Sequence, residues 1–273
     1  MHSAALPVLW TGSALVCPMT PTDMTPTAAS VSWHGSRLIR CLNELTVSTV
    51  ALSPGQFAGR LGQLVDLADS ISISAVHARL HRQVFERAGA PRQAIVDQFL
   101  RVRRSLIQSV VASCAGQPGT SRIRLPPAAA ELPADAETAL APYMKFYAAH
   151  QRDIDPRIQR LHADIRAAAA GLSPELAQLG ALDEVMTNTL SLHRRKFFSA
   201  VPRLLGRRFR QGFEACRRTP PDNRHGAAPW DHFHREFCTE MRGLLLAEIE
   251  TRLLPVIGLI EAVNAEENPD IHE

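Results

Sequence analysis

The chain has 273 residues, 45% hydrophobic and 21% charged, with a mean hydropathy of −0.08. That is enough apolar material for a sizeable core, and it excludes a wholly disordered chain. Aromatic residues make up only 5%, and the dominance of Ala, Leu and Arg favours helix over strand and excludes an all-β fold. The net charge is +3, with 28 arginines against two lysines, Lys145 and Lys196, so the basic character rests on guanidinium groups that suit carboxylates and phosphates alike.

Residues 1–32 read as a disordered amino-terminal segment. The short apolar run Leu6 to Val16 is broken by Pro7 and Gly12 and followed by the Pro/Thr-rich stretch Pro18 to Thr27. No Lys or Arg precedes Arg37, which argues against a secretory leader and leaves room for translation starting later, at Met19 or Met24. Ser36 then caps a first helix through Leu38, Ile39, Leu42 and Leu45, and Ser53-Pro54-Gly55-Gln56 opens a second through Phe57, Leu61, Leu64, Val65 and Ala68. The alternating Asp69 to Ser74 is read as a helix junction, a third helix runs from about Ser72 to Arg87, and Gly89 and Pro91 make a turn. A fourth helix carries Ile95, Phe99, Leu106 and Val110 on one face and Arg101, Arg103 and Arg104 on the other.

The Pro/Gly-rich residues 116–133 form the long connection of the chain. Tyr143, Met144, Phe146 and Tyr147 begin a helix that continues through Ile154, Ile158, Leu161 and Ile165, with a kink or restart at Pro156 and a stop at Gly171. Ser173-Pro174-Glu175 caps a segment reaching Phe197, which Pro202 bends. Residues 219–229 form a loop, and Trp230 opens a helix with Phe233, Phe237, Met241, Leu244, Leu245 and Ile249 at helical spacing. Residues 261–273 hold five acids and no Lys or Arg and read as a frayed acidic tail. The expectation is an all-α protein, an elongated bundle of about seven to eight helices with no sheet, whose single domain spans residues 33–260. The longest late apolar run, Leu253 to Ile260, is far short of the ~20 residues of a membrane span.

Four stretches carry a family likeness: Ser36 to Arg40, Phe57 to Asp66, Ala68 to Ile71, and Ala141-Pro142-Tyr143-Met144-Lys145-Phe146-Tyr147-Ala148-Ala149-His150-Gln151-Arg152. Over about residues 33–255 the chain resembles the bacterial domain-of-unknown-function family numbered 3348, with the Ala-Pro-Tyr segment the most specific part. The resemblance implies a helical protein without a known activity. Relatives are often encoded near predicted membrane proteins and a peptidoglycan-binding, outer-membrane-protein-A-like protein, so it also implies an accessory role in an envelope complex. It transfers no catalytic residue.

The densest basic stretch is Leu190 to Arg218, where Arg194, Arg195, Lys196, Arg203, Arg207, Arg208, Arg210, Arg217 and Arg218 face the single acid Glu214. Such a stripe can meet the chain's own acids, an acidic partner or anionic lipid, and it keeps nucleic acid open as a second reading. Phe197, Phe198, Leu204, Leu205, Phe209 and Phe213 are interleaved as a buried stripe, not as base-stacking platforms. Tyr143, Phe146, Tyr147 and His150 share a helical face, either as a core seam or as a half-wet docking groove.

Metal chemistry is poorly supported. His77 and His81 lie at i and i+4 without the Glu of a zinc-protease motif, and His234 turns about 200° away from His232 and Glu236 on a helix. The five cysteines, Cys17, Cys41, Cys114, Cys216 and Cys238, form no Cys-x-x-Cys pair and suit a reducing compartment. Nucleophile-elbow, phosphate-loop and dinucleotide motifs are all missing.

The expected function is that of a non-catalytic accessory protein without cofactor, cytoplasmic or peripheral to the inner membrane. It would engage a protein partner, or a second copy of itself, through Arg194, Arg195, Lys196, Arg203, Arg207, Arg208 and Arg210 together with Tyr143 and Tyr147. A nucleic-acid binder is the alternative, and a helical metal-dependent hydrolase the remote one.

Overall fold

The computed structural model describes residues 37–45, 70, 71, 74–76, 78, 91–115, 122–129, 131–219 and 229–266, all of them within one compact unit, Trp33–Glu273. The fold is all-α. Its helices are α1 (Arg37–Leu45), α2 (Arg92–Cys114), α3 (Ala136–Ala170), α4 (Pro174–Thr189), α5 (Ser191–Arg218) and α6 (Pro229–Ala265); the described positions between 70 and 78 are helical as well, and no strand occurs among the described residues. The expectations for residues 1–32, the helix through Phe57 to Ala68, His77, His81 and residues 267–273 fall outside the described residues.

Local chemistry sets most helix ends. Asp135 caps α3 by accepting from the Thr138 amide and hydroxyl, both at 2.7 Å, so that helix begins a full turn or more before Tyr143, at Ala136. Ser173 caps α4 by accepting from the Leu176 amide, with Pro174 in the first turn, as its sequence predicts. The segment expected to run unbroken to Phe197 instead breaks at Leu190, where Thr187, Asn188, Thr189 and Ser191 have poor helix propensity and compete for backbone partners. Helix α5 continues through Pro202 to Arg218.

Helix α6 packs against all five other helices. Its buried residues run from Trp230 to Val263, nearly all apolar, while His232, Arg235, Glu236, Thr239 and Arg242 keep a polar face in solvent. Tyr143 with His234, Gln151 with Glu248 and Asp155 with Arg252 fix α3 and α6 as running in the same direction. Gln98 with Asp164 and Ser113 with His150 place α2 antiparallel to α3, and Glu137 with Arg210 and Gln151 with the Phe198 carbonyl do the same for α5. Between these helices an aromatic cluster of Tyr143, Phe209, Phe213, Trp230, Phe233 and Phe237 fills one end of the core; burying each such ring contributes roughly 1.5–3 kcal/mol.

Two further contacts extend the core. The indole N–H of Trp230 donates to the Ala129 carbonyl at 3.0 Å, tying the Pro-rich connection to the aromatic cluster. Helix α6 continues through residue 261, the expected start of the tail, to Ala265, and Glu266 accepts from Arg92 at 2.9 Å and from the Ser173 hydroxyl. Those two anchors hold the end of α6 to the starts of α2 and α4.

Candidate functional site

Where α3, α5 and α6 meet, a polar cluster interrupts the apolar core. Glu248 is fully buried. Its carboxylate accepts from Tyr147 Oη at 2.9 Å, from Gln151 Nε2 at 3.0 Å, and from Arg252 Nε and Nη2 at 3.0 and 2.7 Å. Arg252, whose side chain is 8% exposed, also bonds Asp155 and lies with Cζ 3.8 Å from the centroid of the Phe198 ring. Burial, and then the Glu248 carboxylate beside it, push the Tyr147 phenol well above its ordinary value, so it stays a donor.

Pro202 completes the arrangement by what it lacks. With no N–H, it leaves the Phe198 carbonyl one turn earlier without its helical donor, and Gln151 Nε2 donates there at 3.2 Å. Gln151 thereby bonds both α5 and α6.

A second polar group lies toward the aromatic end. Tyr143 Oη is 2.6 Å from His234 Nε2; burial and then the Cys238 thiol push the phenol up to about 12, and burial lowers His234, so the phenol donates to a neutral imidazole. On α2, the Ser113 hydroxyl donates to the Val110 carbonyl, which leaves His150 Nε2 to donate to Ser113 Oγ at 2.8 Å. His150 Nδ1 is buried without a partner, and burial takes the ring down to about 4. The thiol of Cys238 is pushed up to about 11, chiefly by burial, and burial raises Cys114 too. Neutral thiols and an imidazole sealed from solvent are poor nucleophiles and bases for any outside substrate.

Tyr143 and Tyr147 are 4% and 0% exposed. They therefore belong to the core seam with Phe146 and His150, and the docking groove suggested for them is corrected: their hydroxyls are spent on His234 and Glu248. Of His232, His234 and Glu236, His234 is buried while His232 and Glu236 face solvent. No group of three or more His, Cys, Asp or Glu among the described residues is placed to hold a metal ion.

The basic residues of α5 separate into three groups. Arg208 pairs with Glu240 at 2.9 Å and Glu236 at 3.2 Å and lies over the Phe233 ring, Arg210 pairs with Glu137, and Arg217 with Glu214. Lys196, Arg203 and Arg207 are exposed and make no ion pair among the described residues. With Leu192 they fall within about 60° on the helix at 100° per residue, an outward stripe. Leu192 is 55% exposed; Phe197, 42% exposed, lies about 140° around the helix from it, off the stripe. Arg194 and Arg195 lie on the side nearer α3, where with Arg152 and Arg252 they line a cleft of about 410 Å³.

Sequence reasoning found the stripe but missed Glu248, Arg252, Gln151, Asp155 and Arg152. One signal was present: Glu248 and Arg252 continue the apolar spacing Met241, Leu244, Leu245 at i+7 and i+11. A Glu-Arg pair at i, i+4 in a buried register implies an internal ion pair.

Residues 24–265 match the family described as "Protein of unknown function (DUF3348)", and the chain belongs to that family. The match takes in all six helices. No curated protein and no solved structure matches the chain.

Proposed function

We propose that this family member is a non-catalytic helical accessory protein that docks an acidic protein partner on the outward stripe of α5. The observation that carries the reading is the stripe itself: Lys196, Arg203 and Arg207 have no ion pair among the described residues, and exposed Leu192 shares their face. Arginine beside a large apolar side chain is the composition of interface anchors. The buried cluster of Glu248, Arg252, Tyr147 and Gln151, which ties α3 to α6, supplies a rigid support for such a face. The setting we infer, the cytoplasmic side of a membrane-associated assembly, rests on the gene neighbourhood of the family and not on the fold; no helix among the described residues is long and apolar enough to cross a membrane.

The test is affinity capture of the tagged protein from its native host in mild detergent, with and without nuclease, using the wild type and the double variant Arg203→Glu/Arg207→Glu. The expected result is a nuclease-resistant protein partner captured by the wild type and lost by the variant at unchanged helicity. Capture unaffected by charge reversal defeats the docking role of the stripe, and a complex that disappears on nuclease digestion replaces the reading with nucleic-acid binding.

A further inference from the structure

The cleft between α3 and α5 has a different character from the outward stripe. It is concave, and its volume of about 410 Å³ falls within the roughly 300–1,000 Å³ of small-molecule sites. Arg152 from α3, Arg194 and Arg195 from α5 and Arg252 from α6 all line it, against one lining carboxylate, Asp155. Glu248 lies beneath and bonds Arg252. The two acids are thus committed to Arg252, while Arg152, Arg194 and Arg195 make no ion pair among the described residues.

Three guanidiniums converging on one small volume repel one another, so the fold gains nothing from gathering them there. They acquire a purpose when an anion enters. Four guanidiniums against two carboxylates leave a surplus of two positive charges, and the three guanidiniums without an ion pair among the described residues can use more acceptors than the two oxygens of a single carboxylate, whereas a phosphoryl dianion brings three oxygens and the matching charge. The base is fixed in advance: Arg252 is clamped by Glu248, Asp155 and the Phe198 ring, so its position costs little to organise on binding. Ala148, Pro156 and Phe198 supply an apolar wall for the body of a ligand.

We propose that this cleft binds a small soluble molecule bearing a phosphoryl dianion, held by Arg152, Arg194 and Arg195 above the fixed Arg252. The site does not rest on the docking reading, since it uses a different side of α5 and can be tested without any partner.

The experiment is calorimetric titration of the full chain with inorganic phosphate in a chloride buffer. The variants are Arg194→Gln/Arg195→Gln, Arg152→Gln, and, as a matched loss of charge elsewhere, Arg103→Gln/Arg104→Gln on α2. Saturable one-to-one binding is expected, weakened at least about tenfold in the first two variants, the effect of losing a charge-assisted hydrogen bond, and within about twofold of wild type in the third. Circular dichroism shows whether a variant has folded, and Arg152→Gln serves if the double variant has not. Absence of saturation, or equal weakening in the α2 control, overturns the proposal in favour of a diffuse surface potential. Binding to phosphatidylcholine vesicles doped with phosphatidic acid, without binding of free phosphate, also overturns it, because the ligand is then a lipid surface.

Discussion

Arg252 and Arg207 carry the same guanidinium group in opposite surroundings. At the seam of α3 and α6, Arg252 is 8% exposed and meets two carboxylates and an aromatic ring; on the outer face of α5, Arg207 stands in solvent without an ion pair among the described residues. A charge taken out of water costs several kcal/mol unless its partners are complete, so the interior admits Arg252 only with Glu248, and the pair then fixes the register of α6 against α3. The exterior makes no such demand. Charge that the fold does not need and does not neutralise is available to something else, and the two regions differ in that respect rather than in composition.

The largest expected effect comes from breaking the interior pair. Glu248→Ala leaves Arg252 buried with half its partners gone, strips Tyr147 of its acceptor and leaves Gln151 only the Phe198 carbonyl, so stability falls by about 3–5 kcal/mol in urea unfolding. Glu248→Met combined with Arg252→Met recovers much of that loss, because the cost lies in the orphaned charge. A single variant that loses less than about 1 kcal/mol would remove the distinction between the two regions. Next comes Gly212→Ala: the α5 backbone approaches Phe233 so closely that a Cβ there would lie 1.9 Å from its ring. The buried ring has to shift within the aromatic cluster, and thermal melts should report a loss of about 1–3 kcal/mol.

How much of this was legible in the sequence differs between the regions as well. Helical periodicity identified the apolar faces of α2, α3 and α6 and the shared face of Tyr143, Phe146, Tyr147 and His150, because burial follows the 3.6-residue repeat directly. The Ser173 cap was legible from its local sequence, whereas the Asp135 cap lay between the connection read at residues 116–133 and the helix read from Tyr143. The break at Leu190 was not legible, since the apolar pattern passes through it and only weak propensities mark it. Partner choice was the hardest to read. Nothing local distinguishes Arg207 from Arg208, yet one faces solvent and the other meets Glu236 and Glu240 from α6; which one pairs depends on the rotation of α5 against a helix about 30 residues away in sequence.

Acid acts on the interior through its buried histidines. His150 is held down to about 4 by burial, whereas in the unfolded chain a histidine takes up its proton near 6.5. Between those values the unfolded state binds the extra proton. Stability from this site is therefore complete above pH 6.5 and declines as pH falls toward 4, by about 2 kcal/mol at pH 5. His234, also lowered by burial, adds in the same direction. Thermal melts at pH 7 and pH 5 measure the sum, and His150→Gln, which keeps a donor for Ser113 Oγ, should flatten the slope; an equally steep slope in the variant would remove His150 as its source.

The smallest effect is also the most direct comparison, because it uses neighbours. Arg208→Ala loses ion pairs with Glu236 and Glu240 and the contact over Phe233; its side chain is 23% exposed, so solvent screens part of the interaction and the loss is about 1 kcal/mol. Arg207→Ala, one residue away and on the outward stripe, removes no ion pair and should change stability by less than about 0.5 kcal/mol. Raising the salt concentration should shrink the first effect and leave the second near zero, because only the paired charge has an attraction to screen. Equal costs at the two positions would mean that Arg207 is used within the fold. In that case the outward stripe would lose its claim to be surface kept for a partner.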